Sequence, residues 1–275
     1  MVLLKTAEEI EHIRTASLLV AATHATVSAY IKPGVKTSYL DKIAEEFILD
    51  NQATPTFKGY GGFPASLCIS ENEKVVHGIP GDYEIKDGDI ISIDCGVTKD
   101  GFIGDSAFTY PVGDVSAEVM ALLEDTMMSL YLGIEQAVAG KRVGDISYAI
   151  QKYTEIDRGY GVVRELVGHG VGKKLHESPE VPNYGKRGRG PKLKEGMVIA
   201  IEPMINLGKR KIVQHKDGWT IASADKLPSA HFEHTVAVGS PKPDILSDFG
   251  IIFSALKNNN NIKEFHEKSR YLQPD

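Results

Sequence analysis

Acids and histidines sit on apolar runs in this chain, and that placement narrows the fold more than any other feature. Asp94 follows a run of isoleucines in DIISIDCGV, and Asp105 interrupts GFIGDSAF. Glu202 lies in IAIEPMI directly before Pro203, and Glu233 opens the strand-like stretch in HFEHTVAV. A further segment, GHGVGKKLHE, adds His169 and His176, with glycines on both sides of His169 that allow close backbone approach. A carboxylate on a half-buried strand is unfavourable unless it is paired or bound to a metal. The turn sequence Lys99-Asp100-Gly101 predicts a hairpin that brings Asp94 and Asp105 together. Two close carboxylates repel unless a cation lies between them. Taken singly, such residues are more often turn caps, loop residues or edge residues. Taken together they share one simplest cause, a bound cation pair, so the fold has to gather these segments at one place.

Composition removes several other classes. A length of 275 residues predicts one large domain or two small ones, enough to bury a core without staples. The net charge of -6 argues against a dedicated DNA or RNA binder. Two cysteines, Cys68 and Cys95, are too few for a disulfide scaffold and fit a reducing compartment. The apolar stretch from Leu18 to Ile31 is broken by His24, serines and threonines, so no membrane span is expected. Glu8, Glu9 and Glu11 stand where a signal peptide would be basic and then apolar. The expectation is a soluble cytoplasmic protein.

Thr6-Ala-Glu-Glu9 reads as a capping box for a long helix ended by Pro33-Gly34. Ser38 to Asp41 is expected to cap a second helix, and short β runs are expected at Ser66–Ser70, Ile90–Asp94 and Ala107–Val112. The second half repeats the layout. A periodic stretch from Val119 to Ile134 ends near Gly140, and a shorter helix around Ile146–Ile156 follows. Strands are then expected near Arg164–Val167, Met197–Glu202 and His234–Val238. Long helix, glycine, short helix and strands in both halves point to an internal duplication packed as one domain over residues 1–250. Residues 251–275 are read as an extension, with the polar stretch from Lys257 to Asp275 as a loosely held tail.

Other chemistries fail on spacing. In GHGVGKK both the P-loop and the dinucleotide fingerprint would need a glycine where Lys173 stands. There is no Gly-x-Ser-x-Gly elbow, no His-Glu-x-x-His, and no cysteine pair at zinc-ribbon spacing.

The order Asp-x10-Asp, His, Glu, Glu occurs on DIISIDCGVTKDGFIGDSA, VVRELVGHGVGKKLHESP, MVIAIEPMIN and KDGWTIASADKLPSAHFEHTVAV. With VVHGIP around His77, this set resembles the type I methionine aminopeptidases from about Thr6 to Val238. The resemblance implies the pita-bread fold, an α+β domain with pseudo-twofold related halves and a curved antiparallel sheet covered by helices. It also implies two divalent metal ions held by Asp94, Asp105, His169, Glu202 and Glu233. Asp105 and Glu233 would be shared by both ions, Asp94 would hold one, and His169 and Glu202 the other. Four carboxylates and one imidazole suit Mn, Fe(II) or Co, and Zn is compatible. Two metals ~3.5–4 Å apart lower the pKa of a water between them and polarise a scissile carbonyl.

By the same resemblance, Glu202 would shuttle a proton to the leaving amine, and His77 and His176 would stabilise the tetrahedral intermediate. Tyr60, Phe63, Cys68 and Trp219 would line the methionine pocket, with Phe63 and Leu175 as apolar departures from the usual residues. Asn72, Lys74 and Ser229 match positions that hold a monovalent cation in some members. The implied substrates are nascent polypeptide N-termini with a small second residue, and the protein is expected to act as a monomer. The basic clusters Lys186–Lys194 and Lys209–Lys211 read first as solvated loops and, alternatively, as a contact with the ribosome. The chain begins almost at the catalytic domain, which favours a bacterial-type enzyme. Glu202 and Glu233 are 31 positions apart, too close for the type II insertion. Two alternatives stand beside this reading: an Xaa-Pro-cleaving relative, and a non-catalytic peptide-binding member of the same fold.

Overall fold

Thr6 caps the first helix in the structure, a computed structural model that describes residues 2–264. Its hydroxyl accepts from the Glu9 N–H, and the Glu9 carboxylate accepts from the Thr6 N–H. Helix α1 (Ala7–Ser28) stops short of the expected Pro33-Gly34 terminus. The side-chain amide of Asn259 donates to the carbonyls of Ser28 and Ile31 there and satisfies groups that another turn would have used. Helix α2 (Thr37–Asp50) starts earlier than expected. The backbone N–H groups of Thr37 and Ser38 donate to Tyr83 and Gly81, and Lys36 is the N-cap. Asp41, expected as part of that cap, instead accepts from the N–H groups of Ser66 and Leu67.

The first half contributes β1 (Thr54–Pro55), β2 (Leu67–Glu71), β3 (Lys74–Val76), β4 (Ile90–Lys99) and β5 (Phe102–Pro111). Strands β1, β2 and β5 all pair antiparallel with β4. The β4–β5 turn is Asp100-Gly101, both at positive φ (51° and 79°), the two-residue turn that the sequence predicts. It sets Asp94 opposite Ala107 and Asp105 opposite Gly96, so the two carboxylates lie diagonally on one face. Helix α1 packs so tightly on β5 that a Cβ at Gly104 would collide with the backbone N of Ser17.

The second half opens with α3 (Ala117–Ile134), capped by Ser116, and α4 (Val143–Gln151), which runs into a π-turn over Lys152–Ile156. Strands β6 (Gly161–Val162), β7 (Gly168–Gly170), β8 (Glu177–Val181), β9 (Val198–Ile201) and β10 (Met204–Asn206) follow. Then come β11 (Ile212–Gln214), β12 (Ile221–Ser223), β13 (Ser229–His231), β14 (His234–Ala237), β15 (Asp244–Ile245) and helix α5 (Phe249–Leu256). The strand expected at Arg164–Val167 does not form. Arg164 pairs with Glu155 at 2.9 Å, and Leu166 packs against a small cluster with Val76 and Met204 instead of joining a ladder. The sheets run β15-β14-β9-β7-β8, β13-β10-β6 and β11-β12-β3, so helices and antiparallel strands give the expected α+β class.

The halves meet along β5, β13 and β14. Ser106 Oγ donates to the Glu233 carbonyl, Thr109 Oγ1 to that of His231 and Thr235 Oγ1 to that of Asp105, each at 2.7 Å. The Glu233 N–H donates to the Ala107 carbonyl at 2.9 Å. Aromatic packing lies alongside: Phe108 sits edge-on to Phe232 and Phe249 at 5.2 and 5.0 Å.

Helix α5 crosses the boundary expected at residue 250, and Phe249 and Ile252 are buried in the main core. The tail expected to be loose is fastened as far as Lys263. Besides the Asn259 bonds, the Gly113 N–H donates to Asn261 and the Lys263 N–H to Pro111. Residues 265–275 of that tail lie outside the described residues. Among the described residues, no helix is long and apolar enough to cross a membrane.

Candidate metal centre

Asp94, Asp105, His169, Glu202 and Glu233 all line one cavity of about 330 Å³. The β4–β5 hairpin supplies the two aspartates, and β7 supplies His169. The glycines beside His169 are needed because neighbouring strands press in: a Cβ at Gly168 would collide with the Ala200 carbonyl, and one at Gly170 with that of Ser178. Glu202 sits where the ladder breaks between β9 and β10. Ile201 pairs with His234 and Met204 with His231, so that register carried through the break sets Glu202 opposite Glu233. Pro203 has no N–H for a ladder, which is why the strand opens here.

His169 Nε2 lies 3.6 Å from Glu202 Oε1 and 3.8 Å from Asp105 Oδ2. Asp105, His169 and Glu233 offer atoms that all lie within 4.8 Å of one another. Asp94 Oδ1, Asp105 Oδ1 and Glu233 Oε1 are buried without a hydrogen-bond partner. Such unmatched oxygens are costly in a protein interior unless a cation meets them, so this donor set fits divalent metal. Burial raises every one of these acids: Asp94 to about 7, Glu202 to about 7, and Asp105 and Glu233 well above the usual carboxylate range. Repulsion by neighbouring carboxylates adds to burial at Asp94, Asp105 and Glu233.

Two further histidines face the same cavity. His77 follows β3 in a left-handed conformation (φ 58°), and burial lowers its pKa to about 4. His176 stands edge-on to His169 with ring centres 4.4 Å apart, and its Nδ1 lies 2.8 Å from the Tyr60 hydroxyl. Burial lowers His176 as well, helped by His77, so both imidazoles are neutral near pH 7. The apolar wall brings together Phe63 and Trp219, 5.2 Å apart and edge-on, with Cys68 and Leu175. Burial pushes the Cys68 thiol up, away from nucleophile chemistry.

Asn72 and Ser229 are brought together, since the Ser229 N–H donates to the Asn72 carbonyl at 2.9 Å, but neither lines the cavity. The Asn72 amide is engaged by Asp89 and by the Ile90 N–H, and Lys74 is paired with Glu71. Sequence reasoning missed Glu165, Leu166, Val167 and Met204 on the cavity wall, and His231 beside Glu202. A signal for His231 was present: it stands two residues before Glu233 in HFEHTVAV, the spacing of one strand face.

Four carboxylates and an imidazole at an interior cavity, with apolar aromatic walls alongside, describe a metal-dependent hydrolase. Residues 11–240 match the model of metallopeptidase family M24. The chain is 51% identical over 247 residues to the methionine aminopeptidase of Clostridium perfringens, covering 90% of this chain and 99% of that one. It is equally similar to methionine aminopeptidase 1 of Bacillus subtilis, with the same coverage. The crystal structure of methionine aminopeptidase from Rickettsia prowazekii matches with a TM-score of 0.88 at 41% identity, covering 90% of this chain and all of that one. A prolidase from Pyrococcus furiosus matches with a TM-score of 0.74 at 25% identity, and 65% of its length is covered. The chain belongs to metallopeptidase family M24, in its methionine aminopeptidase branch, and has the pita-bread fold of that family.

Proposed function

We propose that the protein removes the initiator methionine from nascent polypeptides whose second residue is small. The observation that carries this reading is the set of unpartnered buried oxygens on Asp94, Asp105 and Glu233 beside an apolar pocket. In this reading Asp94 would hold one ion, His169 and Glu202 would hold the other, and Asp105 and Glu233 would be shared by the two. The ions would supply Lewis acidity toward a carbonyl and acidify water. Mn, Fe(II) or Co suits the oxygen-rich donors, and Zn is compatible.

The protein's own groups do the rest. Glu202, a buried carboxylate 3.6 Å from His169, can take a proton from water and pass it to the leaving amine. A Tyr60 hydroxyl that donates to His176 Nδ1 leaves the proton on Nε2, available as a donor to the substrate. Neutral His77 can donate in the same way. Phe63, Trp219, Cys68 and Leu175 offer rings and apolar surface to a thioether.

The test uses metal-stripped protein with Mn, Fe(II), Co or Zn added back to Met-Ala-Ser and Met-Lys-Ser peptides. Methionine release from Met-Ala-Ser alone, and only with metal, is the expected result. No release with any metal would overturn the reading, and cleavage of Xaa-Pro peptides in its place would move the protein to the prolidase side of the family.

The protein is read as a cytoplasmic monomer. Its basic loops, Lys186–Lys194 and Lys209–Lys211, are mostly exposed, and only β11 separates the second from the hairpin end that carries Trp219. These loops are read as the ribosome contact that brings the enzyme to new N-termini. Charge reversal at Lys209, Arg210 and Lys211 is expected to weaken co-sedimentation with ribosomes and to leave peptide cleavage intact. Unchanged co-sedimentation would sink the ribosome reading. A monovalent cation at Asn72, Lys74 and Ser229 would have a structural role outside the cavity.

A further inference from the structure

Glu202 is asked to move a proton, yet among the described residues no hydrogen bond reaches its carboxylate. Its neighbours are two imidazoles, one on each oxygen. His169 Nε2 faces Oε1 at 3.6 Å, and His231 Nε2 faces Oε2 at 3.5 Å. His231 is 1% exposed, and its Nε2 is buried without a hydrogen-bond partner. A buried ring nitrogen left unmatched is costly; Glu202 Oε2 lies 3.5 Å from it, and the charge of Asp94 also acts on the ring. A shift of about 0.5 Å closes the gap to hydrogen-bond length.

The backbone of His231 cannot drift to avoid this contact. Its N–H donates to Thr109 Oγ1 at 3.1 Å, the same hydroxyl donates to its carbonyl at 2.7 Å, and β13 holds it opposite Met204. His231 meets the Glu202 oxygen that His169 does not.

We propose that His231 is a positioning residue for the reaction: its Nε2–H donates to Glu202 Oε2 and fixes the carboxylate plane, so that Oε1 is the oxygen presented to His169 and the metal side. A glutamate at a strand break has a freely turning terminal torsion. A donor on one oxygen removes that freedom and sets which lone pair faces the reacting water. The inference rests on the reading of Glu202 as the proton carrier.

Three variants test it: His231→Leu, His231→Gln and Glu202→Gln, assayed on Met-Ala-Ser with Mn. His231→Leu is expected to lower kcat by about 30-fold with KM changed less than about 3-fold, in the range for partners that orient a metal-site residue. His231→Gln keeps a side-chain N–H and is expected to recover kcat to within about 5-fold of the parent. His231→Gln is expected to keep the parent's calorimetric Co(II) affinity and visible Co(II) spectrum, whereas His231→Leu, which frees a carboxylate that would also hold an ion, is expected to weaken Co(II) binding by no more than about 10-fold.

Full turnover in His231→Leu beside a dead Glu202→Gln would overturn the positioning role alone. Turnover retained in Glu202→Gln would overturn the reading of Glu202 itself. Loss of Co(II) affinity in both His231 variants would make His231 a ligand and overturn the proposal. Should the leucine variant fail to fold, His231→Asn, whose donor falls short of Oε2, is expected to show the same loss of kcat, and parent-level kcat in it would overturn the proposal.

Discussion

Replacing Asp105 with asparagine is expected to abolish peptide release and at the same time to make the metal-free protein harder to unfold. Asp105 is 3% exposed and faces the charges of Asp94 and Glu202. Burial and those neighbours both act against its ionised form. Asparagine keeps the shape and removes the charge, so the stripped protein should melt a few degrees higher, about 1 kcal/mol or more. The substitution also takes an anionic donor from the group it forms with His169 and Glu233. A loss of at least about 1000-fold in kcat/KM, or ~4 kcal/mol of transition-state stabilisation, is expected. Added Mn should then raise the melting temperature far less than in the parent. Parent-level turnover in this variant would remove Asp105 from the site. Stability that drops instead would mean that its carboxylate already has a stabilising partner.

The second large effect is the dependence of stability on pH and metal. Asp94 and Glu202 rise to about 7 in the fold, from ordinary values of 3.8 and 4.5. Between those limits the folded, metal-free protein binds more protons than the unfolded chain does. Its stability is therefore greatest below the ordinary values and falls as pH rises through about 7. A divalent ion needs the ionised carboxylates, so its affinity runs the other way and grows over the same window. At metal concentrations about 1000-fold over Kd, binding adds ~4 kcal/mol, or about 10 °C in melting temperature. Melting curves at pH 5.5 and 8.0, with chelator and with Mn, should show the chelated protein weaker at pH 8.0. The gap opened by Mn should be wider at pH 8.0 than at pH 5.5. Chelated stability that rises toward pH 8.0 would contradict the burial of these carboxylates.

Much of the candidate site, in the sense of which residues line the cavity, was legible because its anomalies are local. A charge on an apolar run is conspicuous wherever the chain folds, and Asp94, Asp105, Glu202 and Glu233 all carry that mark. His169 was marked by its glycines, although the sequence left open what approaches them. The structure answers with the strands β8 and β9. His231 went unnoticed because a histidine before an aromatic residue in an apolar strand has an ordinary place in a core. Only the fold brings its ring nitrogen to 3.5 Å from the carboxylate of Glu202, 29 residues earlier in the chain.

The fold divides along the same line. Residues close in sequence determined the Thr6 capping box, the Asp100-Gly101 turn and through it the register that sets Asp94 diagonal to Asp105. These depend on torsion preferences and hydrogen bonds that span only a few residues, and a sequence displays them directly. Tertiary structure alone decided that Asn259 ends α1, that Thr37 and Ser38 start α2 against Gly81 and Tyr83, and that Arg164–Val167 forms no strand, with Glu165, Leu166 and Val167 on the cavity wall. Each of these is a choice between satisfying a backbone group locally or across the molecule. The balance depends on which distant segment packing has placed within reach, and no local pattern records that.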